Sequence, residues 1–295
     1  MSTRTPQTKP ALFGIVCGLG AALFWALGFV AARYGLNAGF TPADLLMHRF
    51  LWSGIVFMPL VVHAGVRDRI GWGRAAALMV LGGPGMSILT YTGFQYVPLA
   101  HGSVIQPSCA TLGGLLFASV LLKERISFSR MFGAFVIVAG LVVIGGESLA
   151  GSGFSGAQGD LIFVLTGFMF AGFGTLLRYW RVRAFPAAAV VSVLSLSLFP
   201  LYVAFDGLGR VMALGVGENA LQALAQGILA GPAAMYLFAF SVQSLGVARA
   251  AVFPAIVPAL TLLAGWLLLG EPPTAQQIAG LLTVLCGFYL AQRQR

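Results

Sequence analysis

Charge is the scarcest property of this sequence, and its shortage constrains the protein most. Only 8% of the 295 residues are Asp, Glu, Lys or Arg, while 59% are hydrophobic. The mean hydropathy is +0.92, whereas a soluble domain carries about 25% charged residues. A chain with so few charges cannot cover a surface that faces water, so its solvent must be lipid.

Cysteines, histidines and nucleotide-binding motifs are also rare or missing. The three cysteines and three histidines form no ligand-spaced cluster, so we expect neither a metal site nor a disulfide framework. No P-loop or GxGxxG motif occurs, which argues against ATP hydrolysis or a dinucleotide cofactor in this chain. We therefore predict a protein that is not an enzyme and that binds no cofactor.

Long apolar runs dominate what is present. A bilayer core about 30 Å thick is crossed by roughly 20 residues of helix, and ten runs fit that length. Their approximate limits are 11–33, 42–63, 75–95, 99–121, 129–146, 160–180, 185–206, 219–242, 246–269 and 274–292. The runs are continuous and lack alternating polarity, which favours helices over a barrel. The predicted fold is an all-α membrane protein with ten transmembrane helices.

Basic residues give the chain an orientation. With the N-terminus placed inside, thirteen of the 17 lysines and arginines fall on that side, and only Arg33 and Arg210 fall outside. Because cytoplasmic loops are enriched in Lys and Arg, we predict a multi-pass membrane protein with both termini in the cytoplasm. This bias explains the net charge of +9, and we expect no nucleic-acid partner.

The second half of the chain repeats the first. Glu124 recurs as Glu271, 147 positions later. The other pairs with this spacing are Pro107 and Pro254, Gly133 and Gly280, and Gly140 and Gly287. Weaker matches, 145 positions apart, pair Gly14 with Gly159 and Arg33 with Arg178. A series of matches at nearly constant spacing indicates duplication, and it divides the chain into repeats at 1–150 and 151–295.

Each repeat contains five predicted spans, so the second repeat must enter the membrane from the opposite face. The two repeats are then inverted and related by a pseudo-two-fold axis in the membrane plane. Transporters built in this way bind their substrate near the midplane, where the repeats meet. The architecture therefore predicts a carrier that alternates between inward-open and outward-open states.

Glycine and proline occur together inside two of the apolar runs. Gly83-Pro84 recurs as Gly231-Pro232, with one residue of slip relative to the other pairs. Proline removes a helical hydrogen bond, and a freed carbonyl is tolerated at membrane depth only in a cavity or a packed interface. We interpret both pairs, together with Pro107 and Pro254, as kinks or hinges beside a cavity. Close helix packing is the alternative.

These features resemble the drug/metabolite transporter superfamily, EamA type. The resemblance rests on two five-span halves, the first-helix segment "FWALGFVAARYG", and the helix ends "LLKE" and "LLGE" with Glu124 and Glu271. It covers essentially the whole chain. Within the superfamily the chain most resembles the bacterial amino-acid exporters of the YddG type. The resemblance implies efflux of amino acids or related metabolites across the inner membrane.

Helix 2 carries three polar residues at membrane depth, Asp44, His48 and Arg49. Ionisable side chains there are expensive and often functional. One interpretation is a gate or an anchor for a substrate carboxylate. The alternative is structural: Arg49 extends to the interface or pairs with Asp44.

Aromatic and amide side chains near the kinks are the candidate substrate-binding residues. They are Trp25, Tyr91, Tyr96, His101, Gln106, Tyr236 and Phe253. We regard Tyr91 and Tyr236 as near-equivalents across the repeat. No Asp or Glu falls near the middle of a predicted span, which disfavours coupling through a carboxylate and favours facilitated transport or coupling through a histidine.

The predicted function is export of neutral, apolar or aromatic amino acids and related metabolites by alternating access around a central cavity. The alternatives are an efflux carrier for drugs or other metabolites, and a channel-like facilitator. The expected partners are a small-molecule substrate and the lipid bilayer, with no obligate protein partner.

Overall fold

The computed structural model describes residues 11–64, 70–151, 153–250 and 252–292, and every regular element in these ranges is helical. The ten principal helices are α1 Ala11–Ala38, α2 Pro42–Ala64, α3 Trp72–Gly93, α4 Leu99–Val120, α5 Phe128–Gly151, α6 Gly153–Tyr179, α7 Ala184–Phe205, α8 Gly215–Leu245, α9 Val252–Leu269 and α10 Ala275–Gln292. Within the described residues, α1–α9 are long and apolar enough to cross a membrane. The apolar part of α10, Ala275–Ala291, is shorter. The all-helical fold is confirmed, whereas the count of ten spans stays a prediction.

Helices α3 and α8 are both interrupted at the Gly-Pro pair. Gly83 has φ −117° and ψ −135° and separates Trp72–Gly82 from Pro84–Gly93. Gly231 has φ −90° and ψ −106° and lies in a π-helical stretch of α8. Because the following proline has no N–H to donate, the helical ladder stops at the same point in each half. The two kinks expected from sequence are therefore real breaks, and their role as hinges stays a prediction.

Pro107 and Pro254 do not share this behaviour. Pro107 lies well inside α4, whereas Pro254 lies in the first turn of α9, after the short helix Val247–Ala250. A proline in the first turn costs no helical hydrogen bond, because the N–H groups there have no partner within the helix. Equivalent positions in the repeat thus have different local structures, and the internal proline of α9 is Pro258.

The first helix of each half packs against the other half. Helix α1 contacts α8 and α9, and α6 contacts α3 and α4. Gly14 of α1 packs against Ser244 near the end of α8, and Gly159 of α6 packs in the same way against Tyr96 beyond the end of α3. The two contacts are related by the repeat, so the halves are interlocked through an exchange of their first helices.

Helices α5 and α10 cross at four glycines that the repeat had paired. A Cβ atom on Gly140 would lie 2.9 Å from the carbonyl oxygen of Gly280, and one on Gly287 would lie 2.9 Å from that of Gly133. Neither carbonyl can move without distorting its helix, so glycine is required for this close approach. The contacts are reciprocal between the two halves, as the repeat in the sequence leads us to expect.

The buried apolar side chains form three cores. We call the end of the bundle at which α1 and α9 finish the Glu271 face, and the end at which α4 and α6 finish the Glu124 face. The first core joins α1, α3, α4, α5, α6, α9 and α10. Two further cores lie beside it, one from α2, α3, α6 and α7 and one from α1 and α9 with α8. Helices of both halves contribute to each core.

Candidate functional site

A buried polar cluster lies where the broken helices meet α1. The Tyr91 hydroxyl of α3 donates to Oε1 of Gln226 at 3.0 Å, and Nε2 of Gln226 donates to the Gly28 carbonyl at 2.7 Å. One turn away, Gln222 donates to the Ala31 carbonyl at 2.9 Å. Gln222 and Gln226 were missed from sequence. Their signal was two amides four residues apart in an apolar run, which places both on one helix face.

Gln106 belongs to the same region and has an unused acceptor. Its Nε2 donates to the Thr90 hydroxyl at 3.1 Å, but its buried Oε1 has no hydrogen-bond partner within the described residues. A buried polar atom without a partner costs about 1–3 kcal/mol. This oxygen is therefore available to a donor group on a ligand.

Arg49 of α2 faces this cluster and has no acidic partner. Its guanidinium lies beside the Tyr91 hydroxyl and 6.0 Å from the centre of the Phe50 ring. No carboxylate among the described residues forms an ion pair with it. Arg49 is thus a positive charge at membrane depth that the described part of the chain does not neutralise.

Asp44 does not pair with Arg49, which corrects one of the structural alternatives. The fully buried Asp44 carboxylate accepts hydrogen bonds from Tyr202 at 2.7 Å and from Arg210 at 3.1 Å. The Thr41 backbone N–H adds a third hydrogen bond at 2.8 Å. Hydrogen bonding to Asp44 raises the pKa of Arg210 above its already high ordinary value. This carboxylate therefore fastens α2 to the segment that follows α7.

His48 also makes structural contacts. Its Nε2 lies 3.0 Å from the Asn219 side-chain oxygen, and Trp52 Nε1 donates to its Nδ1 at 3.3 Å. These contacts join α2 to α8 at the edge of an apolar cavity of about 710 Å³. Asp44, His48 and Arg49 therefore share a helix but do not form one site.

His101 forms a pair that the sequence did not predict. Its Nδ1 lies 3.0 Å from Oδ1 of Asp160, and the side chains are 2% and 13% exposed. The predicted span starts at residue 160, but α6 begins at Gly153, so the carboxylate lies well inside the helix. The positions equivalent to His101 and Asp160 in the other half are occupied by Ala248 and Ile15, which cannot form such a pair. The pair is therefore specific to one half.

The remaining aromatic candidates lie in different surroundings. Trp25 packs on Phe238 with ring centres 5.3 Å apart, and Phe253 is buried against Gly18. Tyr96 is 41% exposed and Tyr236 is 53% exposed, while Tyr91 is only 4% exposed. Sequence reasoning brought these residues together, but the structure joins only Tyr91 to the buried cluster.

Tyr91 and Tyr236 are not equivalent across the repeat, contrary to expectation. The Gly-Pro breaks of α3 and α8 are 148 positions apart. At that spacing Tyr91 corresponds to Ala239. This explains why one tyrosine is buried and the other, which packs against Phe240 and Phe185, is exposed.

Two ion pairs join the ends of the exchanged helices. Arg33 at the end of α1 meets Glu271 after α9 at 3.0 Å, and Arg178 at the end of α6 meets Glu124 after α4. The sequence matched these arginines and glutamates across the repeat but did not predict that they pair. The indication in the sequence was that an arginine at the end of the first helix and a glutamate after the fourth helix recur together in both halves.

A duplicated, interlocked bundle of membrane-spanning helices, with broken backbone and polar side chains at its centre, defines a multi-pass membrane transporter. The EamA-like transporter family matches the chain twice, at residues 12–146 and 157–292. The chain therefore belongs to the EamA-like transporter family. The double match agrees with the two repeats found in the sequence.

Two relatives and one solved structure extend this result. An "Uncharacterized transporter" of Archaeoglobus fulgidus is 27% identical over 92% of this chain and 96% of its own length. The "Uncharacterized transporter YdfC" of Bacillus subtilis is 25% identical over 90% of this chain and 87% of its own. A crystal structure with 18% identity has a TM-score of 0.64 and covers 94% of this chain and 96% of that chain. At that identity the similarity concerns the fold alone.

Proposed function

We propose that the protein exports neutral, apolar or aromatic amino acids and related metabolites across the bacterial inner membrane by alternating access. The observation that carries the proposal is the duplicated packing between the halves. Helix α1 packs against α8 and α9, and α6 packs against α3 and α4 in the corresponding way. Carriers built from inverted repeats alternate access around a site between the repeats.

The distribution of basic residues supports a cytoplasmic position for the Glu124 face. The basic residues after α4 are Lys123, Arg125 and Arg130, and those at the end of α6 are Arg178 and Arg181. Positive charge accumulates on the cytoplasmic side of membrane proteins. The chain termini, which also carry basic residues, lie outside the described residues. In this orientation the Glu124 face is the side from which an exported substrate enters.

The duplicated contacts support alternation. Close packing between α1 and α8 recurs between α6 and α3, and α5 crosses α10 through reciprocal contacts. A state with the two faces reversed can therefore form similar contacts at similar energy, as in other inverted-repeat carriers. The breaks at Gly83 and Gly231 would let each half bend.

The chemistry of the central region supports an amino acid as the substrate. Trp25 and Phe253 supply apolar surface, while Tyr91 and Gln106 supply polar groups. Aromatic faces attract an ammonium group, and the free acceptor of Gln106 can bind it as well. The resemblance to YddG-type exporters points to the same substrate class.

Counterflow in proteoliposomes tests the proposal. The protein is reconstituted with an unlabelled amino acid inside, and uptake of the labelled form is measured for a panel of amino acids with and without a pH gradient. We expect saturable counterflow for neutral amino acids with apolar or aromatic side chains. Flux that does not saturate would indicate a channel-like facilitator, and absence of counterflow for the whole panel would refute amino-acid export.

A further inference from the structure

We propose that Arg49 is the anchor for the carboxylate of the transported molecule, so that the carrier requires a free carboxylate in its substrate. This inference rests on the proposed function and adds a chemical requirement to it. It also resolves the two functional alternatives for Arg49, because it makes this residue an anchor and excludes it as a gate.

The charge of Arg49 is left uncompensated by the described part of the chain. The ion pairs found there use Arg33, Arg178 and Arg210, and a further pair joins His101 to Asp160. A guanidinium at membrane depth is costly unless it is paired. A gate would need an acidic partner on another helix, and the nearby carboxylate of Asp44 is already bound by Arg210. An anionic group on a ligand is the missing partner.

The position of Arg49 also excludes simple extension to the membrane surface. Arg49 lies seven residues after the start of α2 at Pro42, which is about 10 Å along a helix that rises 1.5 Å per residue. Its guanidinium lies beside Tyr91, in the interior of the bundle. The side chain is partly exposed, so it is not sealed off from a ligand.

The surroundings of Arg49 suit the other end of an amino acid. One turn further along α2, Ser53 packs against the break at Gly231, with its Cβ 3.4 Å from where a Gly231 Cβ would lie. Gln106 binds Thr90, the neighbour of Tyr91 in α3, and its Oε1 has no hydrogen-bond partner among the described residues. A guanidinium and an amide acceptor in this region suit the carboxylate and the ammonium group of a zwitterion. A planar guanidinium binds a carboxylate through two parallel hydrogen bonds.

The wild-type protein gives the first test, without any substitution. Counterflow of a labelled amino acid that the carrier accepts is competed with unlabelled leucine or with leucinamide, which keeps the side chain and the ammonium group but lacks the carboxylate. We expect leucinamide to compete at least tenfold more weakly than leucine. Equal competition by the two compounds would overturn the anchor while leaving amino-acid export intact.

Substitution of Arg49 gives the second test. We expect Arg49→Gln to weaken the apparent affinity for leucine at least tenfold and to remove the discrimination against leucinamide, whereas Arg49→Lys should keep part of both. Arg249→Gln is the matched control, because Arg249 is the other arginine within a predicted span and is exposed. Normal leucine affinity in a folded Arg49→Gln protein would overturn the proposal. Should Arg49→Gln fail to fold, Arg49→Lys and the leucinamide competition still decide it.

Discussion

Arg33 and Glu271 are 238 positions apart in the sequence, and Arg33 Nε lies 3.0 Å from Oε1 of Glu271. The same guanidinium donates to the Phe94 carbonyl at 2.6 Å, beyond the end of α3. Arg178 and Glu124 form the corresponding pair at the opposite face. The Glu271 face differs because its arginine ties α1 to α3 as well as to the loop after α9. That additional contact ties three parts of the chain together at the Glu271 face.

The two pairs should differ in their contribution to stability. Arg33 and Glu271 are 22% and 29% exposed, whereas Arg178 and Glu124 are 58% and 37% exposed. Exposed ion pairs contribute about 0–1 kcal/mol, so we expect Glu271→Gln to lower the melting temperature in detergent more than Glu124→Gln does. Equal shifts of the melting temperature for these two variants would contradict the expectation that the less exposed ion pair contributes more to stability.

Arg33 should matter more than its acidic partner. Arg33→Ala removes both the ion pair and the hydrogen bond to the Phe94 carbonyl, while Glu271→Gln keeps an acceptor for the arginine. We expect a larger loss of thermal stability for Arg33→Ala, measured in the same detergent. The reversed pair Arg33→Glu with Glu271→Arg should recover only part of the loss, because it does not restore the bond to Phe94.

The two glycine breaks should tolerate alanine differently. A Cβ on Gly83 would lie 2.8 Å from the Met79 carbonyl oxygen, which is backbone and cannot move aside cheaply. A Cβ on Gly231 would lie 3.4 Å from the Ser53 Cβ and 3.7 Å from the Gln226 carbonyl oxygen, both ordinary contact distances. We therefore expect Gly83→Ala to reduce folding yield and thermal stability, and Gly231→Ala to fold normally. Transport by folded Gly231→Ala then reports on the hinge, because a slower rate with unchanged stability indicates restricted bending.

The two amides of α8 provide a matched comparison at the buried cluster. Both are buried and each donates to a carbonyl of α1, but only Gln226 also binds Tyr91. Replacing either with leucine removes its hydrogen bond to α1, which contributes about 0.5–1.5 kcal/mol. We expect similar thermal destabilisation for Gln222→Leu and Gln226→Leu, but a loss of counterflow rate only for Gln226→Leu, because that change releases the Tyr91 hydroxyl. Equal transport by the two variants would argue against a role for Tyr91.

The His101–Asp160 pair should be sensitive to charge imbalance. His101→Leu leaves the Asp160 carboxylate, which is 13% exposed, without its ring partner. Removing one member of a buried pair is more costly than replacing both members with apolar residues. We expect His101→Leu to lower the melting temperature strongly and Asp160→Asn, which keeps a hydrogen-bonding group, to lower it less. If the double variant His101→Leu with Asp160→Leu is no more stable than His101→Leu alone, the cost does not come from the unpaired carboxylate.

The sequence predicted the positions of the helices better than the contacts between them. Apolar length and the Gly-Pro pairs located α1–α10 and both breaks to within a few residues in most cases. Which face of each helix is buried could not be read in the same way, because lipid-facing and packed residues are both apolar. Gln222 and Gln226 therefore went unnoticed, and Tyr236 was placed in the site although it is exposed.

Pairing between the halves was the second limit of the sequence. The repeat aligned Arg33 with Arg178 and Glu124 with Glu271, but alignment relates equivalent positions and gives no information on which positions touch. To predict the contact between Arg33 and Glu271, one must know that α1 packs against α8 and α9. Asp44 shows the same difficulty, since its partner Arg210 comes from a distant connecting segment.

The exchange of first helices determines how this molecule could be assembled from parts. A five-helix fragment ending near residue 150 contains α1 but lacks the surface of α8 and α9 on which α1 rests, and it offers a vacant surface on α3 and α4 where α6 belongs. The complementary surface in each case is supplied by an oppositely inserted copy of a similar fragment. Two separate polypeptides of this kind would cover these surfaces on each other by swapping one helix. A single continuous polypeptide fixes the ratio of the two halves at one to one and their insertion in opposite directions.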